Sequence, residues 1–223
     1  MSHVIKAQFT IVDLELLKKA VQSLGGSMVQ SSTYRWYGQH VGDYPLPEGF
    51  SANDLGKCQF AISHPSSQYD IGVVRSKRHP GQWELLCDFW GTGENLLKAF
   101  GNVGAKSLSR LAEAYTAESM KKTIGSAWSI RKTVTSTGVV QLEAVDTRRA
   151  TSEAETTKRI VAKSEPNGSV AVEAFGFKGK SCLKATKELE KLLGMPASHR
   201  LVKAEYFMSD QTGRQTRATG DAL

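Results

Sequence analysis

Apolar side chains recur along the chain with two periods, and the change of period marks the elements. Residues 4–11 (VIKAQFTI) are strand-like. Asp13 then stands where a helix N-cap belongs, and Leu14, Leu17, Val21 and Leu24 follow at helical spacing. Gly25-Gly26 ends this helix, because glycine accepts the left-handed C-terminal position. Residues 27–32 predict a second strand. The stretch 36–57, with Pro45, Pro47 and several glycines, reads as a long irregular loop. Three strands follow in an antiparallel meander: 58–63 with Cys58, Phe60 and Ile62 on one face, 69–75, and 83–90 with Trp83, Leu85, Cys87 and Phe89 on one face. Pro80-Gly81 turns the chain between the last two.

Helical spacing returns over 94–100 and 105–124, with Leu108, Leu111 and Tyr115 as the buried stripe of the second piece. Strands 128–135 and 139–145 turn about Thr137-Gly138. Large apolar residues are nearly absent from 146–158, so 147–158 reads as a linker. Beyond it, strands 160–164 and 169–175 flank Pro166-Asn167-Gly168, a hairpin signal. A helix capped by Ser181 runs to Leu193 and is stopped by Gly194 and Pro196. Residues 201–208 predict a last strand, and 209–223 a flexible tail. The fold class is therefore α+β: an antiparallel or mixed sheet with helices on one face, plus a small C-terminal ββα unit. The units are 1–146 and 159–208. The second is small for independent stability, so it is expected to dock on the first or on a partner.

Composition narrows the class of protein. At 223 residues with 40% hydrophobic and 23% charged side chains, the chain is an ordinary globular one. It has no apolar run long enough to cross a membrane, and its first residues lack a secretory layout. Three cysteines suit a reducing compartment, so a cytoplasmic protein is expected. The net charge of +7 is shared between the two halves rather than gathered in one arm.

Candidate chemistry is sparse. Gly179-Lys180-Ser181 opens a helix, but a phosphate-binding loop needs another glycine where Ala174 stands, so these residues form at most a simple anion site. Cys58, His64, His79 and Cys87 lack the paired spacing of a zinc site. Asp70, Glu84 and Asp88 lie on adjacent strands and could line a polar pocket, or simply solvate an exposed sheet face. No catalytic residue, metal or cofactor is assigned. The densest basic cluster is Arg75, Lys77 and Arg78 at the hairpin tip. Tyr34, Arg35, Trp36 and Tyr37 supply aromatics beside a cation, the combination that holds single-stranded nucleic acid.

Several segments carry a resemblance. The opening MSHVIKAQFTIVDLELLKKAVQSLG, then YDIGVVR, WELLCDFW, and LAEAYTAESMKKT with TGVVQLEA behind it, resemble the hypothetical chloroplast reading frame thirty-five family, a domain of unknown function, over residues 1–146. The stretch PNGSVAVEAFGFKGKSCLKATKELEKLLG resembles a second small family of unknown function with a G-F-x-G-x-x-C turn. The two resemblances imply action in a complex with a AAA-type ATPase, and they bring no catalytic residue. The expected function is thus a non-catalytic adaptor or assembly protein that binds a protein partner or a further copy of itself. The alternative is a nucleic-acid-binding module using the basic tip.

Overall fold

The side chain of Asp13 accepts hydrogen bonds from the N–H groups of Glu15 and Leu16 at 2.9 and 3.1 Å, and so starts the first helix. The computed structural model describes residues 4–195 except 8, 42, 125–127, 147–157 and 178–179. Most of the predicted linker, the strand expected at 201–208 and the tail 209–223 lie outside the described residues. The elements are β1 (Val4–Lys6), α1 (Leu14–Ser23), β2 (Ser27–Gln30), β3 (Phe60–Ser63), β4 (Ile71–Arg75), β5 (Trp83–Asp88), α2 (Glu94–Phe100), α3 (Ser109–Ile124), β6 (Trp128–Val134), β7 (Val140–Asp146), β8 (Arg159–Ser164), β9 (Val170–Phe175) and α4 (Lys180–Leu192).

The protein is α+β, with two antiparallel sheets in the orders β1-β5-β4-β3-β2 and β6-β7-β8-β9. The first strand is shorter than expected. From Lys6 to Ile11 the chain advances five residues while its partner advances three, from Leu86 to Trp83, so the ladder bulges and Ile11 rejoins by a single bridge. Ser181 also differs from expectation. The helix α4 begins one residue earlier, which puts Ser181 in its first turn rather than at the cap.

Both α1 and α4 end in the same way. The Gly25 N–H donates to the Gln22 carbonyl and the Gly26 N–H to that of Val21; Gly194 and Met195 repeat the pattern onto Lys191 and Glu190. Gly25 and Gly194 take the left-handed conformation this reversed double bond requires, with φ of 81° and 64°.

One apolar core runs through both sheets. Ile62, Ile71, Val73, Leu85 and Cys87 from the first sheet join Leu142, Ala144, Ile160 and Ala162 from the second, with the helices between. The helix α3 lies at the centre and packs against α1, α2, α4, β7 and β8. Burial on several sides requires small residues and satisfied hydroxyls. Thr116 and Ser119 meet this by donating to the carbonyls of Ala112 and Tyr115, each at 2.8 Å. The ββα unit therefore docks on the first unit, and β8 also pairs directly with β7.

The opposite face of the first sheet is covered without an α-helix. Val4, Tyr34, Leu55, Cys58, Ala61, Val74 and Leu86 form a second cluster there, under the chain between β2 and β3. Cys58 was expected to share a face with Phe60 and Ile62, but it precedes the strand and turns to this second cluster.

The Tyr115 hydroxyl ties the parts together. It accepts from the N–H groups of Val12 and Asp13 at 3.1 Å each and donates to the Leu192 carbonyl at 2.8 Å. Tyr115→Phe leaves these groups without that partner. The expected cost is about 2 kcal/mol, a fall of about 4–8 °C in Tm, measured by thermal unfolding; an unchanged Tm would remove this role.

Candidate binding site

The hairpin tip between β4 and β5 is shaped by Ser76. Its hydroxyl accepts from the N–H groups of Arg78 and His79 at 3.3 and 3.1 Å and donates to Glu84 at 2.8 Å. This turn projects Lys77 and Arg78 toward the long loop before β3, which holds acidic residues in wait. The Lys77 ammonium sits 2.7 Å from Asp54 and 5.3 Å from the ring of Phe50. Arg78 pairs with Glu48, and the Arg75 guanidinium stacks 4.5 Å from the Trp83 ring centre. Each cation of the predicted tip is thus already engaged.

Electrostatics follow from these contacts. Lys77, with the hydroxyl and N–H of Ser51, holds the Asp54 carboxyl far below its usual range. Arg78 holds the Glu48 carboxyl down in the same manner. Both are lowered pKa values, so the tethers are complete at neutral pH and are lost only as pH falls below about 4.

The aromatic segment lies elsewhere. Arg35 clamps Asp70 with two side-chain bonds of 2.8 and 2.6 Å, while its own N–H donates to the same carboxylate at 3.1 Å. Asp70 immediately precedes β4, whereas the basic tip follows it. Five residues of strand put roughly 17 Å between them. Tyr34 is only 4% exposed, and its ring covers Gly72, where any Cβ would meet it at 2.4 Å. Trp36 and Tyr37 are half-buried, and the Tyr37 N–H donates to Asp88 at 3.3 Å. The structure therefore brings together Arg75, Lys77 and Arg78, and separately Tyr34 to Tyr37. It does not unite the two groups.

The three carboxylates considered for acid–base chemistry have holding duties. Asp70 anchors Arg35. Asp88, fully buried, accepts from the N–H groups of Tyr37 and Trp90. Glu84 takes the Ser76 hydroxyl and faces Lys6 at 3.7 Å. The space under the long loop, lined by Val4, Pro45 and Leu55 among others, is about 10 Å³, room for one water at most.

Burial raises the Cys58 thiol to about 11, with the Asp70 charge adding to it, and pushes the Cys87 thiol up further. Both stay protonated at neutral pH, which does not suit a nucleophile. His64 bonds Ser66 at 2.6 Å and meets Phe100 edge-on, while His79 is exposed. Among the described residues no three such side chains stand close enough to share a metal ion. Of the proposed anion site, Ser181 is half-buried in α4; Gly179 and the side chain of Lys180 lie outside the described residues.

Sequence reasoning missed a cleft of about 420 Å³ between the α2–α3 junction and the hairpin turns of the second sheet, lined by Lys98, Asn102, Arg110 and Ser164 among others. One of its walls had a signal, the glycine-bounded run Gly101-Asn102-Val103-Gly104 just before a helix.

Comparison with known proteins finds one domain of unknown function, in the C-terminal part of the chain. Residues 164–207 match a family described as a protein of unknown function (DUF2997). The described part of that stretch holds β9 and α4. No curated protein and no solved structure matches the chain.

Replacing Glu48 with Gln and Asp54 with Asn together should free the tip. Tryptic cleavage after Lys77 and Arg78 at pH 8, followed by mass spectrometry, is expected to quicken by about three- to tenfold. Unchanged cleavage would show that the two tethers do not restrain it.

Proposed function

We propose that this protein is a non-catalytic adaptor that acts within a protein complex and takes a partner's strand along β6. The observation that carries this reading is the open edge of the second sheet. The strand β6 spans seven residues, pairs only on its β7 side among the described residues, and ends in Val134, 61% exposed. The Thr135 N–H donates to the Val139 carbonyl at 2.9 Å. By antiparallel alternation, the N–H groups of Val134 and Lys132 then face outward. An unpaired edge of this length is a template for strand addition.

The two family resemblances make a AAA-type ATPase the first partner to test. A further copy of this chain is less suited, because antiparallel self-pairing of β6 about its centre sets Arg131 against Arg131. The nucleic-acid alternative has less support, since it needs Lys77 and Arg78 to leave Asp54 and Glu48, and Tyr34 to leave its packed position.

Val134→Pro removes one outward N–H and leaves the β7 ladder intact, so the fold should hold with Tm changed by at most about 2 °C. The tagged full chain, wild type and variant, is purified from its host and analysed by size exclusion with light scattering. Wild type is expected in a defined complex containing the ATPase, and the variant as a 24.3 kDa monomer. A wild-type protein that stays alone, or a variant that keeps every partner, would refute the proposal.

A further inference from the structure

Three observations meet at the cleft beside α3. The first is the helix terminus. The Ala112 N–H is taken by the Leu108 carbonyl at 2.9 Å, so the N–H groups of Ser109, Arg110 and Leu111 precede the helical ladder, and Ser109 and Arg110 line the cleft. The first turn of α3 carries no acidic residue to occupy that positive end. The helix runs sixteen residues, long enough for its aligned peptide dipoles to act there.

The second observation is a stranded hydroxyl. Ser164 ends β8 and lines the cleft wall. It is 3% exposed, and its Oγ has no hydrogen-bond partner among the described residues. Its register places it opposite Val140 and two residues beyond Ala162, on the face turned to α3 and therefore to the cleft. A buried hydroxyl without a partner costs about 1–3 kcal/mol, and such groups in a native fold call for an explanation.

The third is charge. Lys98 and Arg110 line the same cleft; one guanidinium nitrogen of Arg110 donates to the Lys98 carbonyl at 2.9 Å, which holds the group in place and leaves its other donors to the opening. Of the two acidic residues in the lining, Glu113 is neutralised by Lys132. Glu165 alone has no ion-pair partner among the described residues, so cations prevail. Asn102 is turned inward on its own loop, where its side chain accepts from the N–H groups of Gly104 and Ala105 at 3.0 and 3.3 Å.

We infer that this cleft binds a phosphate-bearing small molecule of about mononucleotide size. The phosphate would sit against the first turn of α3 and the Arg110 guanidinium, which presents planar paired donors. The Ser164 hydroxyl would donate to the ligand after a small opening of the wall that now covers it. The apolar stretch of Leu97, Val103 and Val140 takes the remainder of the molecule. A volume of about 420 Å³ lies within the range that holds compounds of this size. The site adjoins β6, since Glu113 of its lining pairs with Lys132 and Val140 lies opposite Val134, but it is argued from other groups and does not depend on the adaptor reading.

The test is calorimetric titration of the full chain with inorganic phosphate and with AMP at constant ionic strength, with sulfate as a control, and thermal unfolding of each variant alone. Arg110→Gln is expected to weaken binding by about tenfold or more, as loss of a charge-assisted pair does. Ser164→Ala should weaken it about three- to tenfold while its own Tm is unchanged or higher, because removing an unpaired hydroxyl relieves rather than costs stability. A Ser164 with a purely packing role would leave affinity unmoved. Binding of phosphate with tighter binding of AMP supports the full site; phosphate alone narrows it to the anion end. The inference is overturned by an absence of binding for both probes, by equal affinity for sulfate that neither variant alters, or by binding lost in Lys77→Glu with Arg78→Glu instead.

Discussion

A single hydroxyl, that of Tyr115, joins three distant stretches of chain within the core that both sheets share. The residue sits on the central helix. Its ring fills the core, and its oxygen reaches the entry to α1 on one side and the end of α4 on the other. Each of those places is a helix terminus or its approach, where backbone groups lack partners of their own. The two neighbouring hydroxyls of Thr116 and Ser119 are returned to the backbone of the same helix, so α3 can be enclosed without stranded polar atoms. Lys122 adds an outer tie to Asp13 at 2.6 Å. Burial raises the Asp13 pKa, but Lys122 and the N–H groups of Leu16 and Glu15 outweigh it, so the net change is downward.

The first sheet shows a different solution. One face meets the helices, and the other would be bare without the chain between β2 and β3. Irregular chain cannot hold itself by a ladder, so side chains do the work. Carboxylates at Asp70 and Asp88 grip the start of this segment, and cations at Lys77 and Arg78 grip its later part through Asp54 and Glu48. The charges that stand out in one dimension as a basic cluster also fasten this cover. The cleft of about 420 Å³ lies where two helices and two turns fail to close on each other.

Much of the fold could be read from the chain because local rules agreed with the tertiary result. Asp13 with its downstream apolar spacing announced α1, and the Asn167-Gly168 and Thr137-Gly138 pairs announced their hairpins. The meander β3-β4-β5 followed from alternation. The failures have physical causes. Cys58 was misplaced because alternation has no meaning before a strand begins. The coverage of the second face could not be read, since a loop has no period. The pairing of Lys77 with Asp54 and of Arg78 with Glu48 joins residues more than twenty positions apart, and a tally of basic residues is blind to such partners. The cleft beside α3 is built by five segments, each legible by itself, but their meeting joins residues from 97 to 166 and no local pattern announces it.

The two sheets also differ in when they can form. The second is a meander in chain order, each strand beside the next, and its closures are short or moderate. The first places β1 at an edge against β5, so Val4 must meet Asp88 across most of the first unit. Closing a longer loop costs more chain entropy before any contact repays it, and such pairings come late. During synthesis the opening strand therefore waits, unpaired, until the fifth has left the ribosome. Its brevity is then an advantage, because three residues offer little edge for a wrong partner in the interval.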